Sequence, residues 1–246
     1  MTDTPADDLK PSFRSDVTVE LVKHSAADSD VLWAARVSTA GEQSLEELNK
    51  DPERSKGLIN YLMRDRHGSP FEHNSMTFFI SAPIFVFREF MRHRVGWSYN
   101  EESGRYRELQ PVFYVPGEDR KLVQQGRPGK YEFVHGTPEQ YGAVTAAMEE
   151  SYRQSYAAYQ EMLAAGVARE VARATLPVGL FSSMYATCNA RSLMHFLGLR
   201  TQHELAKVPS FPQREIEMVG EKMEAEWAKL MPLTYAAFNA NGRVAP

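Results

Sequence analysis

The chain of 246 residues is 43% hydrophobic and 24% charged, with a formal net charge of -4 at pH 7, which suits a globular protein able to bury a substantial core. This charge gives no general attraction to nucleic acid or acidic membranes, so phosphate recognition must come from local arginine clusters. The single cysteine, Cys188, excludes an intramolecular disulfide and a multi-cysteine metal site, and a reducing, cytoplasmic compartment is expected.

The first residues are polar and acidic, with no basic start followed by an apolar stretch, so no signal peptide is expected. Residues 1–15 read as a mobile tail, and 16–240 as one domain. Helices are predicted from Asp28 to Val37 and from Pro52 to Arg66, the second with Leu58, Ile59 and Leu62 on its buried stripe. Met76 to Ile80 reads as a strand, and Pro83 as the first turn of a helix reaching about Arg94. Tyr99 to Tyr106 lacks periodicity and is expected to be a loop. Val112 to Val115 reads as a short strand before a Pro- and Gly-containing stretch at 116–136.

The clearest helix has Thr137 as N-cap and Pro138 at its first position, and runs to about Gly166. Tyr141, Val144, Met148, Tyr152, Tyr156, Tyr159 and Leu163 form its apolar stripe, for the core or a subunit contact. A short helix from Arg169 to Leu176 stops at Pro177. Leu180 to Thr187 reads as a strand, Asn189 as the cap of a helix through Leu199, and about Pro212 to Leu230 as an amphipathic helix. The fold class is α/β of the α+β type, helix-rich, with a mainly antiparallel sheet and no Rossmann unit.

No G-x-G-x-x-G turn, phosphate-binding G-x-x-x-x-G-K-[ST] loop, H-E-x-x-H helix or G-x-S-x-G elbow occurs. Polar clusters must therefore carry the chemistry. The densest runs from Arg92-His93-Arg94 to Arg105-Tyr106. Consecutive cationic side chains on a helix point about 100° apart and reach different partners, and arginine forks suit phosphate oxygens. A helix C-cap with a solvated loop is the bland reading of the same residues. His67 to His73 invites a metal site with Glu72 and His93, as in a hydrolase, but the spacing matches no ligand pattern; no metal is expected. Glu170 and Arg173 form an i,i+3 pair, and Asn189 to Arg200 sets Arg191, His195 and Arg200 as a second polar group.

Together these clusters resemble the flavin-dependent thymidylate synthase family, also called thymidylate synthase-complementing protein. Its signature is R-H-R, a short gap, then S-x-N-E-x-S-x-R-Y, matched by Arg92-His93-Arg94 and by Ser98 to Tyr106. The H-x-S/T-P-F-E-H element resembles His67 to His73. R-E-x-A-R-x-x-L-P and N-A-R-S-L-x-x-F-L-x-L-R look like the sequences from Arg169 and from Asn189. The likeness covers about residues 17–235.

The resemblance implies methylation of dUMP to dTMP in de novo synthesis, with methylenetetrahydrofolate as carbon donor and FAD reduced by NADH or NADPH. It implies FAD contacts by Ser69, Arg92, His93, Arg94, Glu101, Asn189, Arg191 and His195, with Glu72 a further candidate. It implies dUMP contacts by Glu89, Arg92, Glu101, Ser103, Gly104, Arg105, Arg173 and Arg200. Arg200 would act catalytically by favouring ionised uracil N3. A homotetramer with shared active sites is also implied, with no nucleic-acid or membrane partner and no cysteine nucleophile. A catalytically silent nucleotide-binding or assembly protein of the same fold is the alternative. Two departures stand out. Eight residues separate Arg94 from Ser103, one more than usual, and Glu89 stands where Gln is common, so its charge requires neutralisation by Arg88 or Arg92.

Overall fold

A computed structural model describes residues 10–41, 51–127 and 130–246. The fold class is α+β, with antiparallel sheets beside one parallel pair of short strands. The chain divides into two compact units, one of residues up to Asp16 with Ser81–Arg88 and Glu101–Ser183, the other of Val17–Ile80, Glu89–Asn100 and Met184–Pro246.

In the first unit, β1 (Ser12–Arg14) pairs in parallel with β5 (Val112–Tyr114), with Phe13 opposite Phe113. The expected tail over 1–15 is therefore ordered at its end, while residues 1–9 lie outside the described residues. The stretch at 116–136 contains an antiparallel hairpin, β6 (Val123–Arg127) and β7 (Lys130–Val134). The long helix α4 (Pro138–Ala164) starts as its sequence predicts. Thr137 Oγ1 accepts from Gln140 N at 3.3 Å, and Gln140 Oε1 accepts from Thr137 N at 2.8 Å. This reciprocal pair satisfies two otherwise orphaned donors. Tyr152, Tyr156 and Tyr159 are buried with Leu109, Phe113, Ala172 and Leu180, so the stripe is core at these three tyrosines, while Tyr141 is half-buried. Tyr152 stacks on Phe113 at 4.8 Å between ring centroids. α5 (Arg169–Ala172) continues as a 3-10 turn over Arg173–Thr175, ending before Pro177 as expected.

The second unit holds β2 (Thr18–Ser25), α1 (Asp28–Ala40) and α2 (Pro52–Arg64). It also holds α6 (Ala190–Arg200), α7 (Arg214–Leu230) and α8 (Pro232–Ala240). The four-stranded sheet has the order β2-β3-β8-β4, with β3 at Ser75–Pro83, β4 at Trp97–Glu101 and β8 at Phe181–Cys188. Along β3, Met76, Phe78 and Ile80 are fully buried at alternate positions, the period of a strand with one covered face. On α7, Ile216, Val219, Met223 and Trp227 are fully buried, each contributing roughly 1.5–3 kcal/mol by leaving water. Asp28 of α1 caps α8, accepting from Leu233 N and Thr234 N at 2.8 Å each.

Helix α3 (Ile84–Phe90) begins after Pro83, which closes β3, and stops four residues before the expected end at Arg94. Arg92 N and His93 N donate to Glu89 O and Phe90 O, three residues back. Tyr99 Oη donates to Phe90 O at 3.1 Å and His93 O at 2.9 Å. That hydroxyl takes the carbonyls at the end of the helix, so Arg92 to Arg94 lie in a turn. The expected loop at 99–106 is likewise corrected, because β4 runs to Glu101 and only the turn from Ser103 follows.

Candidate active site

In the second unit, Asn189 caps α6 as predicted, its Oδ1 accepting from Ser192 N at 2.9 Å. This puts Ser192 beside the turn after Arg94, where its hydroxyl donates to Val95 O at 2.9 Å. Gly96 sits at φ +69°, and a Cβ there would lie 2.1 Å from Ser192 Oγ. The Val95-Gly96-Trp97 segment, where the gap is one residue longer, is thus locked to the start of α6 by a glycine with no room for a side chain.

Arg191 lies over Gly68, where a Cβ would come within 2.5 Å of the guanidinium carbon. It pairs with Glu72 Oε1 at 2.5 Å and donates to Pro246 O at 2.6 Å. Asn74 Oδ1 accepts from Ala190 N at 2.8 Å, fixing the helix start to the strand entry. A cavity of about 320 Å³ is lined by Glu72, His93, Arg94, Trp97, Arg191 and His195, with Val95 and Ser192 between them. Desolvation first, then Arg191 and Arg66, lower the pKa of the His195 imidazole, which favours its neutral form.

At the other end of α6, Arg200 pairs with Glu89 and donates through Nε to His93 Nε2 at 3.1 Å. Burial, then Arg200 and His195, push the His93 imidazole down to about 4, so it accepts this hydrogen bond in its neutral form. Phe196 meets the His93 ring edge-on at 4.9 Å, and Trp97 stacks on Tyr99 at 5.6 Å. The expectation that Arg88 or Arg92 neutralises Glu89 is corrected: the partner is Arg200, which faces it across 111 residues of sequence. Cys188 is buried and its thiol is pushed up by desolvation, which disfavours the thiolate.

The first unit gathers the other expected residues. Ser103 O accepts from Tyr106 N at 3.1 Å, and Ser103 Oγ from Arg105 N at 3.3 Å. A Cβ on Gly104 would meet Leu109 at 3.0 Å and the Arg173 side chain at 3.2 Å, which brings Arg173 against this turn. Arg105 pairs with Glu170 at 2.9 Å, so Glu170 turns to Arg105 where an i,i+3 contact with Arg173 was expected. The Glu101 carboxyl is raised by desolvation first and by Glu102, against the opposing influences of Ser182 and Arg173.

Ser69 and Arg92 are both exposed, Ser69 opening the 3-10 turn at Ser69–Glu72. The four residues of the metal reading do not assemble. His67 stacks on Tyr61, His73 meets Trp33, Glu72 holds Arg191 and His93 faces Arg200. Among the described residues no three His, Cys, Asp or Glu side chains gather as metal ligands. Sequence reasoning missed Arg66, Gly68, Ser192 and Trp97. Gly68 and Ser192 lie inside recognised motifs, so position offered a signal there, whereas nothing local marks the contacts of Arg66.

A sequence model for thymidylate synthase complementing protein matches residues 20–233. The chain belongs to this family, that of the flavin-dependent thymidylate synthases. A flavin-dependent thymidylate synthase of Streptomyces avermitilis is 92% identical over 246 residues, covering 100% of both chains. That of Tropheryma whipplei is 58% identical over 238 residues, covering 97% of this chain and 98% of its own. Among solved structures, the UMP/dUMP methylase PolB of Streptomyces cacaoi bound with 5-Br UMP has a TM-score of 0.88 and 55% identity, covering 96% of this chain and 99% of its own. As a family member the protein is a flavin-dependent enzyme.

Proposed function

We propose that the protein methylates dUMP to dTMP, using methylenetetrahydrofolate as carbon donor and a nicotinamide reductant. The observation that carries this is the arrangement on α6: Arg191 opens onto the cavity at one end, while Arg200 and neutral His93 meet at the other. The relatives' names and the uridine-nucleotide ligand of PolB support the substrate class.

The donor set fits FAD. Arg94 and Arg191 offer charged donors for phosphate oxygens, and Trp97 offers an aromatic wall. Arg92, His93, Glu101, Ser69, Asn189 and His195 complete the proposed flavin set. When bound, reduced FAD supplies the hydride that completes the methyl group. The chain's own residues bind and polarise. Ser103, Gly104, Arg105 and Arg173 offer a turn and two guanidiniums for the nucleotide, with Glu89, Arg92 and Glu101 as further contacts. Arg200 stabilises negative charge at uracil N3 and so directs electron density to C5, the carbon to be alkylated. Glu89 and His93 hold its fork in one orientation. A cytoplasmic homotetramer with shared active sites completes the proposal.

Anaerobic incubation of flavin-loaded protein with dUMP, methylenetetrahydrofolate and NADPH is expected to yield dTMP. A flavin-loaded sample that binds dUMP and yields none would instead establish a silent nucleotide-binding protein. Sedimentation at assay concentration checks the tetramer.

A further inference from the structure

Beyond α8 the chain turns sharply, with Gly242 at φ +72° and Arg243 at φ +55°. It then follows α6. Arg243 O lies 3.3 Å from where a Cβ of Gly198 would stand, and Pro246 O accepts from Arg191 Nε at 2.6 Å. Ala245 O accepts from Arg66 Nη1 at 2.5 Å. These last residues are largely buried, and the Arg243 side chain is only 1% exposed.

The anchor of this segment is a buried ion pair. Arg243 makes a two-pronged contact with Glu224 of α7, at 2.6 and 2.8 Å, and donates to Asn239 Oδ1 at 2.8 Å. Its Nη2 also donates to Thr201 Oγ1 at 3.2 Å. Thr201 is the residue after Arg200, and its hydroxyl donates to Leu197 O at 2.8 Å. One four-residue segment therefore touches α6 beside both of its functional arginines.

We infer that Arg243–Pro246 is a brace that positions Arg191 for an anionic part of the flavin and Arg200 for the pyrimidine. The inference rests on the ligand roles proposed above for those two arginines. Pro246 O occupies Nε of Arg191 and Glu72 occupies Nη1, which fixes the plane of the guanidinium that lines the cavity. At the other end, Arg243 fixes the last turn of α6 through Thr201, and with it the backbone from which Arg200 extends. Arg243 is a positioning residue in this arrangement, acting through Thr201 and not on the ligand.

Two variants separate the ends of the brace. A chain lacking Ala245 and Pro246 keeps the Arg243–Glu224 pair and should still unfold cooperatively, with a lower melting temperature from the lost buried contacts. Its flavin Kd, read by fluorescence quenching, should rise about tenfold, the scale on which loss of a ligand-orienting partner acts. Thr201→Val should leave flavin Kd within twofold and weaken dUMP binding to the flavin-loaded protein, read by calorimetry. Equal loss of both ligands in both variants would indicate general loosening and overturn the brace, as would unchanged binding in both. If the shortened chain does not fold, Arg66→Asn releases the Ala245 anchor at full length. It should still weaken flavin binding at about 0.5 M salt, where the charge of an exposed arginine is screened, and unchanged binding there overturns the brace. Arg191→Ala is the control. If it retains flavin, the underlying ligand assignment fails. If it loses flavin while the shortened chain does not, only the brace fails.

Discussion

Arg200 makes two demands on its surroundings, and His93 meets one of them by staying neutral. The imidazole accepts from Arg200 Nε while burial, Arg200 and His195 hold its pKa down at about 4. The folded chain therefore resists a proton that the unfolded chain accepts near its ordinary value of 6.5. Because the unfolded state binds more protons across that window, stability is full above about pH 6.5 and falls as pH drops towards 4. Urea midpoints measured at pH 7 and 4.5 should show a smaller acid loss for His93→Gln than for the parent, since an amide accepts the same bond without titrating. The other demand concerns charge. Glu89 balances Arg200, and an ionised uracil would share that role. Arg200→Ala should abolish measurable dTMP formation while flavin absorbance stays, because Arg191, the flavin donor on α6, lies at the other end of that helix. Loss of flavin from that variant would reassign the residue. Asn189 was legible as a cap because its side-chain chemistry is local. The Glu89 partner was not, since an ion pair across 111 residues leaves no trace in spacing.

At the scale of elements, local signals and distant contacts divide the outcome. The start of α4 follows from Thr137, Pro138 and Gln140, all within four positions. Thr137→Ala removes one half of the reciprocal cap and should cost roughly 1 kcal/mol, read as a lower denaturation midpoint with an unchanged slope. Flavin and dUMP binding should be unaffected, because the substitution alters only a helix end. The end of α3 shows the opposite case. Nothing in Phe90-Met91-Arg92 stops a helix, and the stop comes from the Tyr99 hydroxyl arriving from β4 to take two carbonyls. That same tyrosine marks the strand that aperiodic polar residues had concealed. The hairpin of β6 and β7 was hidden for a related reason. Val123, Gln124 and Gln125 carry little β-branched character, and pairing with Lys130–Val134 supplies what propensity does not. The parallel pairing of β1 with β5 joins residues 100 apart, again beyond any local pattern.

For the molecule as a whole, ligand binding should register differently in the two compact units. All the proposed flavin contacts except Glu101 belong to the unit that contains α6, whereas Ser103, Gly104, Arg105 and Arg173 of the proposed dUMP contacts belong to the other. The clusters were legible in sequence because each is a contiguous motif, but their division between units was not, since Glu89 and Glu101 are near in sequence and belong to different units. This division sets an order of effects for amide hydrogen exchange. Flavin alone should slow exchange around His93–Trp97 and the first turn of α6, where Ser192 N already bonds to Asn189. Adding dUMP to the flavin-loaded protein should then slow exchange at Arg105, Tyr106 and Arg107, whose amides close the turn on Ser103. A ligand that binds only the folded state stabilises by RT ln(1 + [L]/Kd), about 2.7 kcal/mol at a hundredfold excess over Kd. Protection of that size is readily resolved in slowly opening segments. Protection of the Ser103 turn by flavin alone, with no further change on adding dUMP, would assign the turn to the cofactor and remove Ser103, Gly104 and Arg105 from the nucleotide site.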